Sequence, residues 1–181
     1  MRIIVTGGSG FIGSAFIRAA LKCKHEIINI DSLTYAASQS NLNSVKNNPN
    51  YHFEKTDIRD KKEINRILKY YKPDKLIHLA AESHVDRSID AAVEVLSTNI
   101  IGTFVLLDTF TKYWIEMGKP KDFRFHHVST DEVFGNVNDG KRFTEETRYN
   151  PKNPYSASKA SSDHLVRAWA NTHGLPIIIT N

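Results

Sequence analysis

The sequence is almost without cysteine: Cys23 stands alone among 181 residues. That excludes an internal disulfide framework and a zinc site built on several thiolates. No apolar run reaches the roughly 18 residues that would suggest a membrane-spanning helix. The start, Met1-Arg2-Ile3-Ile4-Val5-Thr6, passes straight into Gly7-Gly8 and lacks the apolar segment and cleavage site of a signal peptide. Nor is there a large excess of one charge. Lys and Arg number 24 against 20 Asp and Glu, a net of +4, which does not predict a nucleic-acid partner. Internal repeats and low-complexity blocks are missing too. The expectation is a soluble, reduced, cytoplasmic domain with neither a membrane nor a nucleic acid as partner. Hydrophobic residues make up 40% of the chain, with 9 Phe, 7 Tyr and 2 Trp. That is ample for a sizeable core in one domain of ordinary size.

Apolar runs of strand length alternate with longer helical patterns. Ile3-Ile4-Val5, Ile27-Ile28-Asn29-Ile30 and the weaker Tyr51-His52-Phe53-Glu54 read as the first three strands. Lys75-Leu76-Ile77-His78-Leu79, Phe123 to Val128 and Ile177-Ile178-Ile179 read as three more. Between them, Phe11 to Leu21 carries Phe11, Ile12, Ala15, Phe16, Ala19 and Ala20 at helical spacing. Lys61 to Tyr71 sets Ile64, Ile67, Leu68 and Tyr71 on one helix face. A long helical region runs from about Ala91 to Met117, and a last helix starts near Pro154 and ends before Gly174. The strands are β-branched and nearly continuously apolar, as in a parallel sheet covered on both faces. The pattern predicts a doubly wound, Rossmann-type α/β fold. Two loops, Ser32 to Asn50 and Asn136 to Asn153 (which includes Gly140), follow strands. Ligands bind beyond the carboxyl ends of such strands, so both loops are expected to border the site.

The first chemical motif is Gly7-Gly8-Ser9-Gly10-Phe11-Ile12-Gly13, between a strand and a helix. Gly7, Gly10 and Gly13 permit a tight turn, close approach to a pyrophosphate and close helix–strand packing. The helix N-terminus then offers free N–H groups to the phosphates. Asp31 ends the second strand, 18 residues beyond Gly13. An acid there binds an adenosine ribose hydroxyl and repels the extra phosphate of NADP, so the cofactor indicated is NAD. Asp57-Ile58 follows the third strand, where it can meet adenine; Asp57 can equally cap the next helix. Ala80-Ala81, after the fourth strand, lets a cofactor lie close to the backbone.

The second motif is Tyr155-Ser156-Ala157-Ser158-Lys159. Positions i and i+4 share a helix face, so Tyr155 and Lys159 can point into one site. A free tyrosine has a pKa of about 10, and lowering it by about three units takes roughly 4 kcal/mol of preference for the phenolate. The Lys159 ammonium and the helix N-terminus are expected to supply this. Asn153 is the expected N-cap and Pro154 the first helical residue. The third motif is Val128-Ser129-Thr130-Asp131-Glu132-Val133-Phe134-Gly135. Thr130 can bond a substrate hydroxyl. Asp131 and Glu132 set two carboxyls side by side, a pair that splits into one acid and one base and suits elimination of water. In isolation the same pair reads as two solvated acids in a turn.

Together these residues resemble the extended short-chain dehydrogenase/reductase family, and within it the nucleotide-sugar dehydratases. The specific likeness lies in Asp31-Ser32-Leu33-Thr34-Tyr35-Ala36, in Ala80 to Ile89 (Ala-Ala-Glu-Ser-His-Val-Asp-Arg-Ser-Ile), in Ser129 to Gly135 and in Tyr155 to Ala160. It spans the chain from Met1 to Asn181. The resemblance implies NAD held by Gly7, Gly10, Phe11, Ile12 and Gly13, by Asp31, Ser32, Leu33 and Thr34, and by Asp57 and Ile58. Leu79, Ala80, Ala81, Ser83, Thr98, Tyr155 and Lys159 complete the implied cofactor site. It implies dTDP-glucose as substrate, touched by Ser83, Thr130, Asp131, Glu132 and Tyr155. Tyr155, activated by Lys159, would deprotonate the C4 hydroxyl while hydride passes to NAD. Glu132 would remove the C5 proton, and Asp131 would protonate the departing C6 hydroxyl. Hydride returned to C6 would give dTDP-4-keto-6-deoxyglucose.

The family's proteins are longer, with a smaller C-terminal domain that holds the substrate nucleotide. The chain is therefore expected to be the NAD-binding and catalytic portion alone. Family members dimerise through helices, here around Ser97 to Met117 and Tyr155 to Thr172. Leu165, Val166 and Trp169 belong either to that face or to the core. No metal site is expected: alternation along a strand separates His126 from His127, and His84 orients a loop. Two other readings stand beside the dehydratase. A 4-epimerase would need Tyr155 but not the Asp131-Glu132 pair; a non-catalytic module would only bind NAD.

Overall fold

The computed structural model describes residues 1–137 and 142–181, Arg87 by its backbone alone. Gly140, in the second expected loop, lies outside them. Strands β1 (Arg2–Thr6), β2 (Glu26–Asp31), β3 (Tyr51–Lys55), β4 (Lys75–His78), β5 (Arg124–Val128) and β6 (Ile177–Thr180) form one sheet. Their order is β3-β2-β1-β4-β5-β6 and every pairing is parallel. The order reverses between β1 and β4, which opens a crevice at their carboxyl ends. All six expected strands are present, each shifted by at most one residue at an end.

The helices are α1 (Phe11–Lys22), α2 (Lys61–Tyr71), α3 (Val85–Asp90), α4 (Ala92–Leu96), α5 (Thr103–Glu116) and α6 (Pro154–His173). A π turn, Ser97–Gly102, joins α4 to α5. The expected long helix is thus real but carries a turn of wider pitch, and α3 precedes it. One face of the sheet packs Ile4, Ile28, Leu76 and Phe125 against Ile64 and Ile67 of α2, Leu106 and Phe110 of α5 and Val166 of α6. The other face packs Ile3, Val5 and Ile27 against Ile17, Ala20 and Leu21 of α1 and against Leu42.

Two local expectations change. In α1 the inward side is Gly13, Ser14, Ile17, Ala20 and Leu21, while Phe11 is 91% exposed and Ile12 62%. The apolar residues at its start are turned away from the sheet, into the crevice. Asp57 does not cap α2. Asp60 does, accepting the N–H groups of Lys62 and Glu63 at 3.0 Å. The start of α6 follows the expectation: Asn153 accepts the N–H of Ser156 at 2.8 Å, Pro154 is first, and Gly174 closes the helix at φ 73°.

Among the described residues one helix, Ala92–Glu116, is long and apolar enough to cross a membrane by length and composition. Counting unbroken apolar runs does not reveal it, because Glu94, Ser97 to Asn99, Thr103, Asp108 and Lys112 among others interrupt the run. Leu106, Leu107 and Phe110 of this helix are fully buried against the sheet.

Candidate active site

A cleft of about 370 Å³ lies over the carboxyl ends of β1, β2 and β4. Gly7, Gly10, Phe11, Ile12 and Gly13 form its floor at one side. Gly7 adopts φ +71°, and a side chain there would stand 2.7 Å from the Ala80 nitrogen. Only glycine lets β1 turn this close to β4. Gly10 starts α1 without any side-chain cap, so the first-turn N–H groups of α1 are left for a ligand.

Asp31 forms the next part of the wall. Its Oδ2 accepts the Ser9 N–H at 2.9 Å and its Oδ1 the Leu33 N–H at 2.8 Å. The carboxylate is pinned between the glycine turn and the following loop. Ser32 and Thr34 line the cleft beside it, but Leu33 does not. Its φ of 58° sends the chain back on itself, and Leu33 serves through its N–H. Asp57, Ile58 and Arg59 close the far end. The Arg59 guanidinium bonds Asp57 at 2.6 Å, Glu94 at 2.9 Å and the Ser97 hydroxyl at 3.2 Å. Burial works to raise the Asp57 pKa, but the hydrogen bonds from Arg59 outweigh it and hold the carboxyl below its ordinary value.

Leu79, Ala80, Ala81, Ser83 and Thr98 line the middle of the cleft, and Ser129, Tyr155 and Lys159 the other end. Lys159 is buried, and its Nζ donates to the Val128 carbonyl at 2.7 Å. Burial pushes its pKa down to about 8, with Asp163 pulling the other way. Tyr155 departs from expectation: its pKa is raised, by burial first and then by the Glu132 charge, against a hydrogen bond with Thr130. The helix-face argument counted the ammonium and the helix N-terminus. It left out two carboxylates on the adjoining turn and the loss of water around the ring.

Thr130, Asp131 and Glu132 do not line this cleft. They form a short 3-10 turn, Asp131–Phe134, next to Tyr155. Thr130 caps it by accepting the Glu132 N–H at 3.3 Å. Asn153, the cap of α6, donates to Glu132 Oε2 at 3.2 Å. The acid pair therefore adjoins the Tyr155 end from the side, tied to α6.

Sequence reasoning missed the buried groups beneath. Asp163 accepts from the Ser129 hydroxyl at 2.7 Å and from Tyr149 at 2.9 Å, and it stands 3.1 Å from His127 Nε2. Burial would raise its pKa, but His127 and Ser129 outweigh this and keep it lowered. His127 is pushed down to about 4, by burial and then by the Lys159 charge. The signal was available: Asp163 is four residues beyond Lys159, on the same helix face. His126 points to the opposite side of β5 and meets Thr180 Oγ1 at 3.0 Å. Val166 is fully buried in the core; Leu165 and Trp169 are partly buried and pack against it.

A model of the family described as GDP-mannose 4,6 dehydratase matches residues 4–181. A dTDP-glucose 4,6-dehydratase of Haemophilus influenzae is 56% identical over 185 residues, covering 100% of this chain and 55% of that protein. The dTDP-glucose 4,6-dehydratase of Streptomyces venezuelae, solved with NAD bound, is similar at 43% identity and TM-score 0.88, covering 99% of this chain and 54% of that one. A Thermus thermophilus UDP-glucose 4-epimerase, solved with NAD, shares the fold at 29% identity and TM-score 0.87, with 99% and 54% covered. The chain spans about half the length of the curated relatives it matches.

Proposed function

We propose that this chain, which belongs to the GDP-mannose 4,6-dehydratase family, supplies the NAD-binding and catalytic portion of an enzyme that dehydrates dTDP-glucose. One observation carries the reading: the Asp131-Glu132 turn is fastened through Asn153 to the helix that presents Tyr155 and Lys159 to the cleft over the glycine turn. The residues present fit NAD. The uncapped first turn of α1 suits a pyrophosphate, and Asp31 suits ribose hydroxyls while opposing a 2′-phosphate.

Bound NAD supplies acceptance of a hydride from C4 and its return at C6. Tyr155 takes the proton of the C4 hydroxyl. Its raised pKa keeps the phenol protonated in the open cleft, and a positive charge entering the cleft shifts it toward the phenolate. Oxidation at C4 makes the C5 proton acidic, and Glu132 removes it. Asp131 gives a proton to the C6 hydroxyl, which leaves as water. As the hydride reaches C6, Glu132 returns its proton to C5, and the proton taken by Tyr155 replaces, through solvent, the one Asp131 gave up. C4 ends oxidised, C6 ends reduced, and the sum is loss of one water. Thr130 and Ser83 hold the sugar.

The exposed side of the long helix carries Val93, Leu96, Ile101 and Phe104, with Val93 82% exposed. Such a stripe favours a homodimer, with α4 and α5 as the contact; sedimentation of the chain tests it. The location in keeping with this reading is the cytoplasm. The epimerase fold neighbour keeps a 4-epimerase as the second reading, and the acid pair weighs against it. Mass analysis of dTDP-glucose after incubation with the chain and NAD decides. Loss of one water with NAD unchanged supports the dehydratase. NAD bound with no water lost reduces the chain to a binding module.

A further inference from the structure

Sheet register sets Thr6, His78 and His127 side by side on β1, β4 and β5, one layer below the cleft. His78 is 1% exposed, and both of its ring nitrogens have partners. Nε2 lies 3.0 Å from Thr103 Oγ1 and Nδ1 lies 2.8 Å from Thr6 Oγ1. Hydrogen counting fixes the directions. Thr103 gives its one hydroxyl hydrogen to the Asn99 carbonyl at 2.5 Å, so it can only accept from His78. The ring hydrogen therefore sits on Nε2, and Nδ1 must accept. Thr6 Oγ1 supplies that hydrogen while itself accepting the Ala80 N–H at 3.2 Å. A second proton on the ring would leave the Thr6 hydrogen without its acceptor. Burial first, then His127 and Lys159, keep the ring uncharged.

The chain of bonds continues past Thr103. The π turn leaves the Asn99 carbonyl outside the ordinary helix ladder, since the Thr103 N–H goes to Ile100 instead. That carbonyl also accepts from Ser162 Oγ at 2.7 Å. The Asn99 amide grips Glu82 at both its N–H and its carbonyl, at 2.8 and 3.0 Å. It also donates to Ser158 Oγ at 2.8 Å, and Ser158 donates to the Tyr155 carbonyl at 2.6 Å. One connected set of bonds thus runs from the cleft floor at Ala80 to the first turns of α6.

We propose that His78 is a positioning residue whose single tautomer holds the cleft floor at Ala80 in register with the α6 turns that carry Tyr155 and Lys159. The inference takes the cleft as the NAD site of the preceding reading, but the coupling itself needs no cofactor. An ordinary satisfied core histidine would anchor only its own strand. This one joins β1, β4 and the π turn, and through that turn α6.

The test is amide hydrogen exchange on the cofactor-free chain. In these bonds Thr6 reaches α6 only through His78. Thr6→Val removes both bonds of the Thr6 hydroxyl. Only the one to His78 leads on to α6, and its loss is expected to speed exchange of the Ser158 to Ser162 amides about tenfold. Thr6→Ser, which keeps the hydroxyl, is expected to match the parent chain. Unchanged α6 exchange in Thr6→Val overturns the proposal. Should that variant not fold, Thr103→Val breaks the chain on the other side of His78. It must then speed exchange of the Ala80 amide, which Thr103 reaches in these bonds only through His78 and Thr6, and no change there overturns the proposal equally. Binding adds a second reading. Thr6→Val is expected to weaken NAD about tenfold while ADP stays within about twofold, and an equal loss of both marks a merely structural role. A parent chain that binds no NAD defeats the proposed function and leaves the exchange result to decide this inference.

Discussion

Lys159 gives a hydrogen of its ammonium to the Val128 carbonyl, 2.7 Å away, and so ties α6 to the end of β5. The group is buried and its pKa falls to about 8. Below pH 8 both folded and unfolded chains carry the proton, and the folded state bears the full disadvantage. Between pH 8 and about 10.5 only the unfolded state keeps it, so stability rises with pH there. The gap corresponds to about 3 kcal/mol. Lys159→Met is expected to raise stability at pH 7 by about 2 kcal/mol, after about 1 kcal/mol for the lost hydrogen bond. The rise above pH 8 should vanish with it. Urea unfolding at pH 7 and pH 10 measures both; a destabilised variant would mean that the ammonium is better solvated than its burial implies.

The strands β1, β2 and β6 were legible as short β-branched runs, and β3, which has no β-branched residue, was the weaker signal. The glycine turn and the start of α6 were legible because their signals are local: a Gly spacing, and Asn153-Pro154. The direction of the Tyr155 shift was not legible. It depends first on burial of the ring and then on Glu132, 23 residues earlier, reaching the first turn of α6 through Asn153. The inward side of α1 was misread because its first-turn apolar residues face the cleft, where spacing alone cannot tell a ligand from a core. The polar layer of Thr6, His78 and His127 comes from register across three strands, and no single stretch of sequence encodes register between strands.

Acid should unfold the chain early. His127 titrates at about 4 when folded, and His78 lies well below its ordinary value. Both bind protons more readily in the unfolded chain between about pH 6.5 and 4. Stability is full above about pH 6.5 and is lost as pH falls through that window. For His127 the loss by pH 4 is about 3 kcal/mol. Thermal melts from pH 7 to pH 4 check this. A Tm flat across the window would show that water reaches these rings.

Glu132→Gln separates two effects of one carboxylate. Its charge helps hold the Tyr155 pKa up, so the neutral variant is expected to titrate Tyr155 at lower pH. Ultraviolet titration against a Tyr155→Phe background isolates that phenol. In an active dehydratase the same change should cut dehydration about a hundredfold or more, since no base remains for the C5 proton. An unmoved phenol would mean that solvent screens the two groups from each other. Undiminished dehydration would remove Glu132 from its role.

Gly10 and Gly13 occupy neighbouring turns of one motif, but their surroundings differ. A β-carbon on Gly13 would collide with the Gly7 carbonyl oxygen and stand 2.6 Å from the Gly8 α-carbon. Both are backbone atoms of the β1–α1 turn, so α1 itself must move. Gly13→Ala is expected to cost about 1–3 kcal/mol of stability, the range of overpacked cores, and to lose NAD binding with it. At Gly10 the added carbon meets only the Gly7 oxygen, at 3.3 Å, and otherwise faces the cleft. Gly10→Ala is expected to stay within about 0.5 kcal/mol of the parent while still weakening NAD, because the methyl group takes the space a pyrophosphate needs. Urea unfolding and NAD titration of both variants read the contrast. If Gly10→Ala binds NAD like the parent chain, the glycines serve helix–strand packing alone and the phosphate approach lies elsewhere in the cleft.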